Sequence, residues 1–501
     1  MMRQPDRSWV RRVDAVMCPD PKRVVTRIFL PGQEAAQPGE SRSTVIIDRL
    51  LGLSDVEVAD QLGAVRAAYE HRHRDLEAAW ERNFVLIEHR VEGAADVEKD
   101  RRLLIGATFT QEFAIEAAAL FNPSMVSHPD QSGLAEGSTR FLMTVRAVGE
   151  GHVSSVEFRT GTIDSSGAVD IDPPAQVAVL PSIVSARYSR AAFRQQLDDL
   201  AGDQTNSDFV LDTLPEWFSR KQLTLAVERL REERLTRGDS ARTIERLEWI
   251  AACTYRVEFP EDSGIRERVL TPIAPSERNG MEDVRMVRFG DDDPAAGYLG
   301  TYTAYDGRTV AAQLVTTRDF RTFDMAPLNG PGSKDKGMAL FPRRVGGRYL
   351  ALSRADRESN GVSSSEDLRH WSAPVQVQAP ERSWEIVQLG NCGPPIETEA
   401  GWLVLTHGVG PMRQYSIGAL LLDLDDPTVV RGSLTEPLLT PAADERDGYV
   451  PNVVYSCGSL LHNRSVVVPY GCSDATTRIA VVDLDPLLGA LTGTPVRTES
   501  P

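Results

Sequence analysis

The chain is 501 residues long, 41% hydrophobic and 25% charged, with a formal net charge of −17. That size can bury a large core, so one big domain with additions is expected. The acidic balance excludes a nucleic-acid partner, which needs a basic footprint, and favours a neutral substrate. No run of about 18 apolar residues is present to span a membrane, and residues 1–12 hold basic side chains without the apolar stretch of a secretory leader. Five cysteines, at 18, 253, 392, 457 and 472, lack Cys-x-x-Cys spacing. The expectation is a reduced, cytoplasmic protein without a disulfide framework or structural zinc.

Taken in chain order, residues 24–30 and 43–47 read as strands, and Ser54 with Glu57 three residues later reads as a capping box opening a helix. A charged amphipathic helix is predicted over 61–84, with apolar residues at 62, 65, 68, 69, 76 and 79. From Phe121 the texture changes to short strands punctuated by glycine. Residues 141–146 and 153–158 read as a hairpin joined by the turn Gly149-Glu150-Gly151-His152. Residues 190–200, 215–236 and 241–252, rich in Leu, Arg and Glu at helical spacing, read as a helical insertion.

Beyond residue 254 strands return, with an internal repeat. Thr317-Arg318-Asp319-Phe320-Arg321-Thr322-Phe323 matches Ser365-Glu366-Asp367-Leu368-Arg369-His370-Trp371, and Leu422-Asp423-Leu424-Asp425-Asp426-Pro427 echoes Val482-Asp483-Leu484-Asp485-Pro486. The aspartates are read as turn formers that accept from backbone amides, and the later aromatic as packing between sheets. A period of about 40 to 50 residues is that of four-stranded propeller blades. Hairpin counting puts blades near 121–170, 254–305, 335–373, 385–430 and 450–490. The expected fold is therefore all-β, a five-bladed β-propeller with an N-terminal α/β accessory region (1–100), a first blade (101–182), a helical insertion (183–253) and the remaining blades (254–495).

Six motifs then fall in order: Phe121-Asn122-Pro123-Ser124, Glu282-Asp283-Val284-Arg285, Lys334-Asp335-Lys336-Gly337-Met338-Ala339-Leu340-Phe341-Pro342, Gly393-Pro394-Pro395, the strand Gly401-Trp402-Leu403 leading to His407-Gly408, and Tyr470-Gly471-Cys472-Ser473-Asp474. Together they resemble glycoside hydrolase family 130, whose members are five-bladed propellers acting on β-mannosides by inverting phosphorolysis or hydrolysis. The resemblance covers roughly 121–170 and 254–490. It leaves 1–100 and 183–253 outside the common core.

The resemblance implies site roles. Asn122, Arg146, Asp283, Asp335, Tyr449 and Asp474 are expected to hold the sugar, since a carboxylate that accepts two hydroxyl protons both orients and discriminates. Arg285, one or both of Lys334 and Lys336, and His407 are expected at a phosphate, the arginine for its planar fork and the lysine for its compact charge. Glu282 can orient a guanidinium, and Val284 stands where the family has proline. The family's acid is an aspartate in an Arg-x-x-Gly-x-Asp context, and the corresponding position here is Gly151. Glu150 is therefore the first candidate acid and His152 the second. Glu157 and Glu385 are spare carboxylates for a hydrolytic base. Trp384 is either a sugar platform or a core residue.

The expected activity is inverting phosphorolysis of β-mannosides to mannose 1-phosphate. A hydrolytic β-mannosidase is the alternative, and a non-catalytic glycan-binding propeller the second. No cofactor or metal is expected, only inorganic phosphate as co-substrate. The expected partner is a small oligosaccharide, with no nucleic acid and no membrane, and a homo-oligomer stays open.

Overall fold

The computed structural model describes residues 8–32, 41–200, 203–234, 240–290, 293 and 295–493. Two compact units emerge: residues 20–117 with 175–180 form one, and the remaining described residues form the other. The smaller unit pairs strands Val24–Ile28 and Thr110–Ala114 and surrounds them with helices Arg42–Leu51, Asp55–Tyr69, Leu76–Ile87 and Lys99–Thr108. The capping box forms as read: the Ser54 amide donates to Glu57 Oε2 (2.8 Å) and the Glu57 amide to Ser54 Oγ (3.4 Å). The strand expected at 43–47 is instead helical. Ser41 caps it, and Ser43, Ile47 and Leu50 share its buried face, so spacing overrides the β-branched run Thr44 to Ile47. The helix expected over 61–84 is split by a 3-10 turn at Glu70–Arg72. The boundary expected at residue 100 falls inside the helix Lys99–Thr108.

Among the described residues of the larger unit, five groups of antiparallel strands follow one another, the first two joined into one eleven-stranded sheet by a single parallel bridge between Ser154 and Gly280, and Tyr188–Ser189 with Trp217–Phe218 forms a separate two-stranded sheet in the insertion. The first is Ala119–Ser127, Thr139–Val148, Ser154–Ile163 and Val169–Ile171. The second is Gly280–Phe289, Gly297–Tyr305, Val310–Thr317 and Thr322–Pro327, with Tyr255–Glu258 and Ser182–Val184 added outside. This corrects the 254–305 expectation, because Tyr255–Glu258 precedes its sheet in sequence yet pairs beyond its last strand. The third runs from Ala339–Leu340 through Tyr349–Ser353 and Asn360–Ser365 to Val375–Gln378. The fourth is Gln388–Asn391, Gly401–Val409, Tyr415–Leu422 and Val430–Ser433. The fifth is Val454–Tyr455, Ser465–Cys472, Thr476–Asp483 and, at its edge, the N-terminal strand Val10–Met17.

That last pairing was not read from the sequence, since the alternation in Val10–Met17 is blurred by Arg11, Arg12 and Asp14 on an edge strand. The fifth sheet also bonds the first: the Cys457 amide donates to the Pro123 carbonyl (2.8 Å) and Thr477 Oγ1 to the Leu120 carbonyl (2.8 Å).

The repeated turns carry the chemistry read from them. Asp319 Oδ1 accepts from the amides of Arg321 (2.8 Å) and Thr322 (2.9 Å), and Asp367 Oδ1 from those of Arg369 (2.8 Å) and His370 (2.9 Å). The aromatics that follow, Phe323 and Trp371, are buried. The second echo diverges. Asp423 makes such a turn, whereas Asp483 precedes the helix Leu484–Thr492, because Pro486 comes one residue earlier than Pro427 and fits a first helical turn.

The insertion forms helices Arg190–Asp199, Gln204–Leu211, Arg220–Arg234 and Ser240–Cys253 around Phe193, Leu197, Val210, Phe218, Leu230 and Leu247. None of the helices among the described residues is long and apolar enough to cross a membrane.

Trp402 joins the third and fourth sheets: it is fully buried, its Nε1 donates to the Leu424 carbonyl (3.1 Å), and Phe341 meets it edge-on at 5.1 Å. Trp402→Ala is expected to cost about 3–5 kcal/mol, read as a lowered urea midpoint by circular dichroism. A loss below about 1 kcal/mol would contradict this packing role.

Candidate active site

Strands of successive sheets and the turns at their ends bring polar side chains to one cavity of about 460 Å³. In the first two sheets the device is a bulge. The register slips between Phe121 and Ser124 in the strand Ala119–Ser127 and between Glu282 and Arg285 in the strand Gly280–Phe289, leaving Asn122 (φ 49°) and Asp283 (φ 56°) in the left-handed region. Bulges re-aim side chains, and non-glycine residues held at positive φ mark sites where structure over-determines a strained backbone. Asp335 (φ 66°) and Asp474 (φ 50°) share that conformation and line the same cavity. Asn122 Nδ2 donates to Asp283 Oδ1 (2.8 Å), and its buried Oδ1 has no partner.

Among the described residues, the wall carries six cationic side chains, Arg146, Arg285, Lys336, Arg354, Arg357 and Arg413, against three carboxylates, Asp283, Asp335 and Asp474. In a chain of net charge −17 this is a local reversal of sign. Glu282, just outside the wall, holds Arg146 Nη2 (2.6 Å) and Lys336 Nζ (3.8 Å), so it orients Arg146 rather than its neighbour Arg285.

Arg285 is 2% exposed. Its Nη2 donates to the Tyr455 hydroxyl (2.6 Å), while Nε is buried without a partner. Burial works against its charge, but Tyr455, Cys457 and Asp283 outweigh it and keep the guanidinium above its ordinary pKa. Arg354 also has a buried Nε without a partner, and its Nη2 lies 3.6 Å from Asp335. Two guanidinium groups in the wall of one polar cavity suit an anion.

His407 is buried, and desolvation together with the charges of Arg354 and Arg285 drives its pKa well below the ordinary imidazole value. The ring is therefore neutral. Its Nδ1 lies 3.1 Å from the Asn391 carbonyl, which requires the proton there, so Nε2 accepts from Arg354 Nη1 (3.3 Å). His407 reaches the site as expected, but its ring nitrogens are spent on orienting Arg354. The surrounding glycines make this possible: a Cβ at Gly390 would meet His407 Cε1 at 2.5 Å, and one at Gly408 would meet Trp384 Cζ3 at 2.4 Å.

The cavity thus gathers Asn122, Arg146, Asp283, Arg285, Asp335, Lys336, His407 and Asp474 of the expected residues. Glu150, His152, Lys334 and Tyr449 are not in its wall. Glu150 and His152 are exposed on a hairpin tip that keeps its polar side chains in water, with the His152 ring 5.8 Å from that of the exposed Tyr449. Lys334 lines a neighbouring cavity because the chain turns at Asp335. Glu157 and Glu385 are fully buried beside Arg159 (3.1 Å) and Arg382 (3.0 Å), and Trp384 is a core residue whose Nε1 donates to the Thr435 carbonyl (3.1 Å). Sequence reasoning missed Arg354, Arg357, Asn391, Arg413 and Tyr455. Only Asn391 had a signal, two residues before Gly393, whose φ of 115° fits it against the Cys457 carbonyl. Among the described residues no three His, Cys, Asp or Glu side chains gather as a metal-holding group.

The family model described as beta-1,4-mannooligosaccharide phosphorylase, of glycoside hydrolase family 130, matches residues 261–492. A 1,2-beta-oligomannan phosphorylase of Thermoanaerobacter sp. (strain X514) is 30% identical over 223 residues, covering 43% of this chain and 72% of that protein. A beta-1,2-mannobiose phosphorylase of the same organism is 32% identical over 249 residues, covering 48% and 79%. This chain belongs to glycoside hydrolase family 130. The beta-1,2-mannobiose phosphorylase of Listeria innocua is 33% identical over 215 residues, covering 41% of this chain and 59% of that family member. A solved structure of that Listeria phosphorylase with beta-1,2-mannobiose aligns over 76% of this chain and 93% of its own, at 24% identity and a TM-score of 0.46. The family match begins after the helical insertion and includes Asp283, Arg285, Asp335, Lys336, Arg354, His407 and Asp474.

Burial, followed by the charge of Asp283, pushes the Asp474 carboxyl up to about 6. Asp283 itself moves down: burial would raise it, but Arg146, Lys336, Arg285 and the Asn122 amide prevail. Since the folded pKa of Asp474 exceeds the unfolded value of about 3.9, its stability contribution is complete below pH 4 and is lost as pH rises through 6. Asp474→Asn is accordingly expected to equal the parent at pH 4 and to exceed it by about 2–3 kcal/mol at pH 8. Urea midpoints across that range test this. Parallel pH profiles for the two proteins would refute it.

Proposed function

We propose that this chain phosphorolyses β-mannosides with inversion, releasing mannose 1-phosphate, and that its five sheets are the blades of a propeller whose inner strands line the active site. The observation that carries the reading is the cation-rich wall, which holds Arg285, Arg354 and Lys336 in a chain of net charge −17. A hydrolase of this stereochemistry needs a second carboxylate to activate water, whereas a phosphorylase needs cations to hold its nucleophile. Of the carboxylates in the wall, Asp283 is paired with Arg146 (3.5 Å) and Asp335 with Arg354 (3.6 Å) and Arg357 (3.4 Å), while the spare carboxylates Glu157 and Glu385 are buried in ion pairs outside it.

In this reading Arg285, Arg354 and Lys336 hold phosphate, and His407 fixes Arg354 as a neutral acceptor. Asn122, Arg146 and Asp335 take sugar hydroxyls. A phosphate oxygen attacks the anomeric carbon as the bond to the leaving oxygen breaks, and that oxygen receives a proton. Asp283 and Asp474 supply it as a coupled pair, since environments that split two carboxyls let one keep a proton near neutrality. Four buried thiols without disulfides suit the reducing cytoplasm.

With β-mannobiose, mannose 1-phosphate is expected only when phosphate is present. Free mannose without phosphate would make the chain a hydrolase, and neither product a binding module. Arg354→Ala is expected to raise the KM for phosphate roughly tenfold or more while leaving the KM for the mannoside nearly unchanged. Asp283→Asn and Asp474→Asn should each lower kcat/KM on mannobiose by about 10²–10⁴. The proton donor is the variant that recovers on an aryl mannoside, whose leaving oxygen needs no proton. Recovery by neither would place the acid elsewhere.

A further inference from the structure

The short strand Val454–Tyr455 follows the two-residue alternation of a pleated sheet: Val454 is buried in the core between the fourth and fifth sheets, whereas Val453 and Tyr455 line the catalytic cavity. Across the ladder Tyr455 faces Gly471, so no side chain from the partner strand crowds its phenol. Its ring is held from the other side. His407 meets it edge-on at 4.8 Å and is itself stacked on Tyr415 at 6.0 Å, so the Tyr455 ring packs against the same imidazole that orients Arg354.

The hydroxyl at the end of that ring accepts from Arg285 Nη2 (2.6 Å). A guanidinium has donors and no acceptor, so this bond uses a lone pair of Tyr455 Oη and leaves the phenol proton unspent. Among the described residues Arg285 is the one hydrogen-bond partner of that hydroxyl. Burial raises the phenol pKa well above its ordinary value and prevails over the opposing charges of Arg285 and Arg354, so the oxygen keeps its proton. Tyr455 is therefore a neutral donor in the cavity wall. Both guanidiniums act on it, one by direct contact and the other from behind His407. An acceptor placed between two such charges is best an anion, because a sugar hydroxyl there would leave both uncompensated.

We propose that Tyr455 is a substrate-binding residue whose O–H donates to the phosphate nucleophile between the guanidiniums of Arg285 and Arg354. The identity of the anion rests on the phosphorolytic reading. The donor itself does not, since it follows from the Arg285 contact and from the place of Tyr455 in the wall.

The test begins with Tyr455→Phe in the full chain, which removes the hydroxyl and keeps the ring against His407. The KM for phosphate is expected to rise roughly 10- to 100-fold with the KM for mannobiose nearly unchanged, and inorganic phosphate should bind more weakly by a similar factor in calorimetry. An unchanged phosphate KM and affinity would overturn the proposal. Because this variant also takes an acceptor from Arg285, a second replacement separates the two roles of the oxygen. Fluorotyrosine at position 455, with fluorine ortho to the hydroxyl, donates more strongly and accepts more weakly. Compared with the parent at about pH 6, where the phenol is protonated, it should bind phosphate roughly twofold tighter or better. Equal or weaker binding would reduce Tyr455 to a support for Arg285 and reject the donation. If no mannoside is turned over while Tyr455→Phe still weakens phosphate binding, the phosphorolytic reading falls and the anion contact stands. A parent that binds no phosphate would remove both.

Discussion

Keeping a guanidinium out of water governs the centre of this molecule. Desolvating an ion costs several kcal/mol after relaxation, and Arg285 is almost fully buried. Asp283 on its own strand and Tyr455 from the fifth sheet compensate it. Arg354 from the third sheet is held likewise by Asp335 and His407, the latter from the fourth. Tyr455 reaches Arg285 from another sheet and His407 reaches Arg354 from another, so full compensation of each charge waits on distant strands meeting. The partners leave both positive charges in the wall of the cavity, and that charge is what the site offers to an anion.

The second organising feature is backbone strain. Asn122, Asp283, Asp335 and Asp474 occupy left-handed conformations that cost of order 1–3 kcal/mol each, and all four line one cavity. In the first two sheets a bulge generates that conformation, which turns a side chain inward that regular pleating would send elsewhere. Asp474 adds an electrostatic cost, because its carboxyl is buried near the charge of Asp283. Stability is given up at the same residues that the chemistry needs. The core between the sheets, with Trp371, Trp402, Phe158 and Phe323 fully buried, offsets it.

Much of this site was legible in one dimension. The spaced motifs pointed to Asn122, Asp283, Arg285, Lys336, His407 and Asp474, because glycine and carboxylate signals at strand ends are local. Arg354, Arg413 and Tyr455 were not legible, since an arginine or tyrosine after a strand has no local signature and acquires meaning only from what another sheet sets against it. The proton donor was not legible either. Glu150 and His152 sit in a flexible-looking, glycine-flanked turn close to the expected sequence position, but that turn points its side chains to solvent.

Sequence alone determined the alternating short strands, the Asp319 and Asp367 turns, the Ser54 capping box and the presence of a helical insertion, all of which follow from contacts within a few residues. Tertiary structure decided that Val10–Met17 completes the fifth sheet, that residues 43–47 are helical, which of Lys334 and Lys336 enters the catalytic cavity, and that His407 is a neutral acceptor for Arg354. The physical reason is range. Turn and capping energies are settled by neighbours along the chain, whereas burial and charge compensation depend on which distant strands meet.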